Sequence, residues 1–185
     1  MTWLVVGLGN PGPTYANTRH NIGAVVIDEL ASRTSRTLKR HKRALADVAE
    51  TKLDGHQVIL VKPLSYMNES GGPTKSLTDY FKVKSEHLIV VHDELDIPFQ
   101  SIRLKQGGGD NGHNGLKSIT GVMGPEYFRI RMGIGRPIGR QDPADFVLKP
   151  FSADERKELP NFVGNGVAAI TSLITNGLTK AQSEF

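Results

Sequence analysis

Residues Trp3–Ser32 read WLVVGLGNPGPTYANTRHNIGAVVIDELAS and predict a strand, a long polar loop and a helix. Trp3–Leu8 is almost continuously apolar, which is typical of a buried strand. Ile22–Ser32 places apolar side chains at helical spacing and predicts a helix with one apolar face. The loop between them contains Asn10 and ends near His20, so polar side chains follow directly on a buried strand.

Predicted strands and helices alternate along the rest of the chain. The predicted strands are Leu45–Leu53, Gln57–Val61, Leu88–His92, Ile102–Lys105 and Tyr127–Ile134, and the predicted helices are Thr74–Phe81, Leu116–Val122 and Asn161–Thr175. Asp54-Gly55 suits a tight hairpin turn between the first two of these strands. Ser152 and Glu155 have the spacing of a capping box at a helix start. This order predicts an α/β fold: a single three-layer α/β/α domain over residues 1–185, with a twisted mixed β-sheet and an inserted hairpin.

The composition excludes several classes of protein. A chain of 185 residues suits one domain with a substantial core. Its apolar runs fall short of the ~20 residues that span a bilayer, and it opens without a secretory leader, so we expect a cytoplasmic protein that contacts no membrane. The absence of cysteine removes disulfides, thiolate zinc sites and cysteine catalysis together.

Positive charge is concentrated in two stretches that contain no acid. Leu30–Ala46 carries six cations and Tyr127–Gln141 carries four. The first stretch contains Arg33, Arg36, Lys39, Arg40, Lys42 and Arg43. Such clusters can neutralise nucleic-acid phosphates, although charge alone favours a solvated basic surface. Aromatic residues make up only 6% of the chain, which gives little support to a base-stacking platform.

The stretch Gly7–Gly12 matches the dinucleotide-binding pattern G-x-G-x-x-G after a strand. In a dinucleotide-binding fold the helix begins within the glycines, and an acid about 20 residues on holds the ribose. Here Pro11 and Pro13 interrupt the turn, and the acids near that distance, Asp28 and Glu29, lie inside the predicted helix. A dinucleotide-dependent enzyme is therefore a disfavoured alternative.

Four polar loops follow strand-like runs and carry groups that could perform hydrolysis. They contain one histidine (His20), one carboxylate at a strand end (Asp93) and the asparagines Asn10, Asn68 and Asn114. A neutral histidine can take a proton from water while a carboxylate holds its other ring nitrogen. Asparagine amides can bind a peptide group and donate to an oxyanion. Each of these residues taken alone is more often a cap or turn residue.

Other hydrolytic mechanisms lack a signature. There is no G-x-S-x-G elbow, no S-x-x-K pair and no H-E-x-x-H motif. His92 and Asp93 are adjacent on a predicted strand and would point to opposite faces, which disfavours a metal site. Water activation without a metal or a cofactor is therefore expected.

The chain resembles the bacterial-type peptidyl-tRNA hydrolases over about residues 3–180. The resemblance is carried, in order and at the family's spacing, by GLGNPGPTYANTRHN (Gly7–Asn21), YMNESG (Tyr66–Gly71), HDELD (His92–Asp96), GHNGLKS (Gly112–Ser118) and RIRMGIGRP (Arg129–Pro137). One position departs from the pattern, because Asn111 stands where the family usually has glycine. The resemblance implies hydrolysis of the ester between a peptide and the 3′ ribose of tRNA, which releases both for reuse in translation.

The resemblance also implies roles for individual residues. His20 resembles the general base and Asp93 the residue that holds it, while Asn10 matches the position that distinguishes blocked from unblocked aminoacyl-tRNA. Substrate binding is implied for Asn68 and Asn114, for the aromatic residues Tyr15 and Tyr66 near the tRNA end, and for Lys105 and Arg131 on tRNA phosphate. We expect peptidyl-tRNA as the partner and, because no feature demands a dimer, a monomer. A non-catalytic RNA-binding domain is the second alternative.

Overall fold

Seven strands and six α-helices make up the structure, a computed structural model that describes residues 1–185. The strands are β1 (Thr2–Gly7), β2 (Lys39–Arg40), β3 (Ala46–Leu53), β4 (His56–Pro63), β5 (Leu88–Glu94), β6 (Ile102–Gln106) and β7 (Phe128–Gly133). The helices are α1 (Ile22–Arg33), α2 (Gly71–Phe81), α3 (Asn114–Met123), α4 (Pro143–Val147), α5 (Ala153–Asn176) and α6 (Leu178–Glu184).

All strands join one mixed sheet in the order β2-β3-β4-β1-β5-β7-β6. The four central strands β4, β1, β5 and β7 are parallel, whereas the β2/β3, β3/β4 and β6/β7 pairs are antiparallel. The carboxyl ends of the parallel strands therefore meet at one edge of the sheet, which is where ligands bind in open α/β folds. This edge gathers the loops that follow Gly7, Pro63 and Glu94.

Helices cover both faces of the sheet. Along β5, Ile89 and Val91 belong to a core of 27 buried residues that includes α1 and α5. Leu88 and Val90 point the other way, into a core of 15 buried residues that includes α2 and α3. The alternation of side chains along a strand thus supplies two cores from one sheet. The predicted α/β/α layering is confirmed.

The predicted hairpin is also present. β3 and β4 pair antiparallel from Ala46 with Pro63 to Leu53 with His56. The two residues between them, Asp54 and Gly55, have φ angles of 47° and 82°. Positive φ at both positions matches the turn type that suits the twist of a hairpin.

Several predicted elements need correction. The capping box at Ser152 starts α5, and this helix continues through Pro160 to Asn176, so the separate helix predicted at 161–175 is part of a longer one. Pro160 removes one backbone hydrogen bond, but the buried face beyond it keeps the helix continuous. α2 begins at Gly71 rather than Thr74, and α6, α4 and the short strand β2 were not predicted. None of the helices combines the length and the apolar character needed to cross a membrane.

The glycines of the dinucleotide-like pattern have a packing role. A Cβ atom on Gly7 would collide with the carbonyl of Gly23 in α1, and one on Gly23 would collide with the carbonyl of Val91 in β5. A Cβ atom on Gly9 would lie 2.8 Å from the Asn21 side chain. These glycines let α1 approach the sheet closely, and α1 starts only at Ile22, well beyond the pattern. The structure gives the dinucleotide alternative no support here.

Candidate active site

A cleft of about 460 Å³ opens where β1, β4 and β5 end. Its lining includes six of the residues selected from the sequence: Asn10, His20, Tyr66, Asn68, Asp93 and Asn114. Val147 and Leu148, at the end of α4, form an apolar wall that the sequence did not predict. Residues from all four polar loops therefore line one cleft, including the loop after β6, a strand that ends at the opposite edge of the sheet.

Asp93 and His20 are in direct contact at the base of this cleft. His20 Nδ1 lies 2.8 Å from Asp93 Oδ2 and 3.0 Å from Oδ1. Asp93 is only 3% exposed, while His20 follows the loop from β1, the neighbour of β5 in the sheet. No group in the protein bonds the other ring nitrogen of His20, Nε2, and His20 lines the cleft.

A second histidine, His113, shares the carboxylate of Asp93. Its Nε2 lies 2.8 Å from Asp93 Oδ1, and its Nδ1 accepts hydrogen bonds from the backbone N–H groups of Gly115 and Leu116 at the start of α3. Because Nδ1 is an acceptor, Nε2 carries the proton and donates to Asp93. His113 was not selected from the sequence; its place directly before a helix in the GHNG motif was the available signal.

The shared carboxylate sets the charge of the site. Burial by itself raises the pKa of Asp93, but electrostatic attraction to the His20 and His113 rings and the hydrogen bonds from both hold that pKa well below its ordinary value. Burial lowers the pKa of His20, yet the charge of Asp93 and the hydrogen bond to it raise that pKa by more, to above 6.5. Asp93 is therefore a permanent anion, and His20 is a stronger base than a free histidine.

His20, Asp93 and His113 also place potential metal ligands within 4.8 Å of one another. However, His20 Nδ1 and His113 Nε2 each lie 2.8 Å from an oxygen of Asp93, which is a hydrogen-bond distance. These two nitrogens are therefore bonded to the carboxylate. A histidine that ligates zinc turns its nitrogen to the ion at about 2.0–2.1 Å. Chemistry without a metal stays our prediction.

Asn10 is held in one orientation by its neighbours. Its Oδ1 accepts a hydrogen bond from the Met67 backbone N–H at 2.7 Å. Asn21 fixes its backbone on both sides, accepting from Asn10 N–H and donating to Asn10 C=O at 2.9 Å each. Its NH₂ group has no partner within the protein and can donate towards the cleft.

Asn68, Asn114 and Tyr66 line the same cleft with few internal ties. Asn68 and Asn114 are exposed, and their side chains form no hydrogen bond within the protein. Tyr66 is 58% exposed. These groups are free to bind a ligand. Tyr15, by contrast, is half-buried in the turn before Thr18 and does not line the cleft.

Comparison with known proteins shows the family to which this chain belongs. A profile of the peptidyl-tRNA hydrolase family matches residues 4–185. The chain belongs to this family. The peptidyl-tRNA hydrolase of Frankia casuarinae is 56% identical over 184 residues, an alignment that covers 99% of this chain and 93% of that protein. The Streptomyces coelicolor protein of the same name is 53% identical over 188 residues, covering 99% and 94% of the two chains.

A solved structure shows the same fold. The crystal structure of Acinetobacter baumannii peptidyl-tRNA hydrolase matches with a TM-score of 0.92 at 34% identity and covers 99% of this chain and 93% of that one. Membership of the peptidyl-tRNA hydrolase family, which was expected from the five motifs, is confirmed.

In this peptidyl-tRNA hydrolase family member, a basic groove of about 580 Å³ adjoins the cleft. Three cations line it, Arg103, Lys105 and Arg131, together with the acids Glu94 and Asp96. Glu94 and Asn111 line both the groove and the cleft. Burial and the charge of Arg131 lower the pKa of Lys105. Burial also lowers the pKa of Arg131, and repulsion from Arg103 adds to this against the opposing effect of Glu94. A bound anion would relieve this crowding of positive charge.

Asn111, the departure from the peptidyl-tRNA hydrolase pattern, lies between the cleft and the groove. It has a φ angle of 50°, in the left-handed region that asparagine tolerates. Its side-chain NH₂ donates to Glu94 Oε2 at 2.8 Å and to Asp96 Oδ2 at 2.5 Å, and Arg136 pairs with Asp96. The turn is therefore kept with asparagine at this position. A side-chain bridge links the loop between β6 and α3 (residues 107–113), here called the glycine-rich loop, to the end of β5.

Proposed function

We propose that the cleft hydrolyses the ester between a peptide and the 3′ ribose of tRNA, with His20 as the general base. Family membership gives the reaction, which is the release of tRNA from peptidyl-tRNA. The observation that supports the role of His20 is its contact with a buried anion: Asp93 accepts from Nδ1 and leaves Nε2 unbonded on the cleft side.

The hydrogen bond to Asp93 keeps the proton of neutral His20 on Nδ1, so Nε2 has a lone pair for a water molecule. As that water attacks the acyl carbon, Nε2 takes its proton and a tetrahedral oxyanion forms. The bond from the acyl carbon to ribose O3′ then breaks, and O3′ receives the proton from His20. Asp93 stabilises the cationic histidine between these two transfers. The step needs no metal or other cofactor.

The asparagines supply recognition in this proposal. The NH₂ group of Asn10 can donate to the carbonyl oxygen of the group that blocks the amine, whereas the ammonium group of an unblocked aminoacyl ester has no lone pair to accept this hydrogen bond. Asn68 and Asn114 have unbonded amides that can bind the peptide group and donate to the oxyanion. Tyr66, exposed at the cleft, offers a ring for the terminal nucleotide, and Tyr15 stays a predicted aromatic contact outside the cleft lining.

The decisive test compares blocked and unblocked esters. Purified protein is incubated with N-acetyl-aminoacyl-tRNA and with free aminoacyl-tRNA, with and without a chelator, and release of the acyl group is followed. We expect selective cleavage of the blocked ester that the chelator leaves unchanged. Cleavage that disappears with the chelator would contradict the metal-free mechanism. Binding of tRNA without cleavage would favour the RNA-binding alternative.

The basic groove is proposed to hold tRNA phosphate through Lys105 and Arg131. Replacing both by glutamine should raise KM for the tRNA ester and reduce the slope of log KM against log salt by roughly 0.7–0.9 for each phosphate that is no longer neutralised, with kcat little changed. Steady-state kinetics at several salt concentrations measures this. Lys52→Gln, an exposed change on β3, is the control. An unchanged salt slope in the double variant would remove the groove from the binding site.

We further propose that one chain forms a complete enzyme, a single-domain monomer that acts in the cytoplasm, where translation supplies its substrate. All of the proposed catalytic and binding residues come from one chain, and one sheet carries both cores. Sedimentation of the active protein would test the monomer, since activity that appears only with dimer formation would contradict it.

A further inference from the structure

Arg129 is a fully buried cation without an acid to neutralise it. It lies on β7 and is 0% exposed, and no carboxylate is within salt-bridge distance of its guanidinium. The charge rests above the ring of Tyr127, 4.5 Å from its centroid. Burying an unpaired charge is costly, so its retention calls for a role.

The guanidinium of Arg129 donates hydrogen bonds to backbone carbonyls, two of which belong to the glycine-rich loop. It donates to the carbonyl of Gly109, to that of Gly108 at 2.9 Å and to that of Pro125 at 3.2 Å. Gly108 has a φ angle of 96°, so this part of the loop has a backbone conformation that few other residues adopt. Carbonyl oxygens are dipoles and carry no net charge. They accept hydrogen bonds from both terminal nitrogens of Arg129, while its Nε has no partner, and they leave the positive charge in place.

This anchor lies between the two functional surfaces. Gly109 lines the basic groove with Lys105 and Arg131, and the same loop leads to His113 on Asp93. In the antiparallel β6/β7 pair, Lys105 is the direct partner of Arg129, and Arg131 follows two residues along β7. The charge of Arg129 contributes to the lowered pKa of both Lys105 and Arg131, after the larger effect of burial. Its field therefore reaches the groove.

We propose that Arg129 is a positioning residue that fixes the glycine-rich loop against the sheet and supplies the basic groove with a positive charge that never touches the RNA. The charge lies in a site of low dielectric, so it attracts phosphate without giving up its hydrogen bonds to the loop carbonyls. This inference rests on the proposed binding of tRNA phosphate in the groove.

The test separates the charge of Arg129 from its hydrogen-bonding shape. Arg129→Gln removes the charge and should raise KM for N-acetyl-aminoacyl-tRNA on the order of tenfold at low salt, with the difference shrinking as salt is added. Arg129→Lys keeps the charge but loses the planar fork of donors, so KM and its salt dependence should stay near those of the wild type. Its kcat should fall, by up to about 10²-fold, because the loop that carries His113 is less well placed.

Arg19 provides a matched control for the loss of a buried arginine. It is 7% exposed and lies over the Phe146 ring at 3.9 Å, but Glu155 neutralises it at 2.9 Å. Arg19→Gln should lower the thermal midpoint of unfolding, as Arg129→Gln does, and leave the salt dependence of KM unchanged. An equal change of salt dependence in both variants would overturn the proposal.

Three further results would also be decisive. An Arg129→Gln enzyme whose KM follows the wild type at every salt concentration would overturn the proposal. If Arg129→Gln does not fold, Arg129→Lys provides the test on its own. A weaker salt dependence of KM in Arg129→Lys, which keeps the positive charge, would contradict the proposal. If the double Lys105→Gln and Arg131→Gln variant leaves KM unchanged, the proposed binding of tRNA phosphate in the groove is wrong. If that variant raises KM and Arg129→Gln does not, only the inference about Arg129 is wrong.

Discussion

His20→Ala is expected to lower kcat by about 10²- to 10⁴-fold while tRNA binding is retained, because a positioned general base is worth that factor. The side chain contacts Asp93 and lines the cleft, and the groove that we propose for tRNA phosphate has no histidine in its lining. Single-turnover cleavage of N-acetyl-aminoacyl-tRNA measures the chemical step, and a filter-binding assay measures the affinity.

His56→Ala is the control for this change. His56 begins β4 at the end away from the cleft, so full activity is expected. A His20→Ala enzyme that turns over at the wild-type rate would remove His20 from the mechanism. Equal loss of tRNA binding and of turnover would indicate damage to the fold instead.

Asp93→Asn is expected to lower kcat on the order of 10⁴-fold, the loss that follows when the aspartate of a serine-protease triad is changed in the same way. The tautomer of His113 explains why the effect should be so large. His113 must donate from Nε2, since the start of α3 occupies its Nδ1, so the amide oxygen of the substituted side chain would turn to His113. The amide NH₂ would then face His20 Nδ1 and force its proton onto Nε2, where the lone pair is needed.

The pH profile of the same variant provides an independent check. In the wild type, activity requires neutral His20, so kcat/KM should fall as the pH drops through a pKa that Asp93 has raised above 6.5. Without the anion, burial remains and lowers the pKa, so the acid limb of Asp93→Asn should move to lower pH. Asp28→Asn, an exposed change in α1, is the control. An acid limb that stays in place would contradict the coupling of His20 to Asp93.

The stability linked to His20 follows the opposite direction from its activity. Its folded-state pKa is raised, so the stabilisation is complete below the unfolded pKa of about 6.5 and is lost as the pH rises through the folded value. Acid conditions that stop the reaction therefore do not weaken this interaction.

The local sequence pattern was sufficient to predict most strands of the sheet and the positions of the loops between them. The apolar run of β1 and the Asp54-Gly55 turn could be recognised because each depends on neighbouring residues only. The order of strands could not be obtained in this way, and it is this order that places His20 beside Asp93, 73 residues further along. The family motifs supplied that pairing before the structure did.

The residues that the sequence missed act through tertiary contacts. The sequence around His113 does not show that its ring accepts backbone hydrogen bonds from the start of α3 and donates to Asp93. Arg129 lies in an acid-free stretch that suggested exposed charge, yet it is fully buried against loop carbonyls. The helix through Pro160 is a case in which downstream burial outweighs a local penalty.

The close approach of α1 to the sheet defines which positions of the first loop could be varied in a directed-evolution library. A β-carbon on Gly7, or on Gly23 of α1, would collide with backbone atoms that cannot move aside, so a library that randomises these two positions would consist mainly of unfolded members. Gly12 has open space around it but a φ angle of 91°, so it favours glycine for a different reason. Thr14, Ala16 and Asn17 are exposed in the same loop, and selection for altered substrate choice could begin there without disturbing the helix.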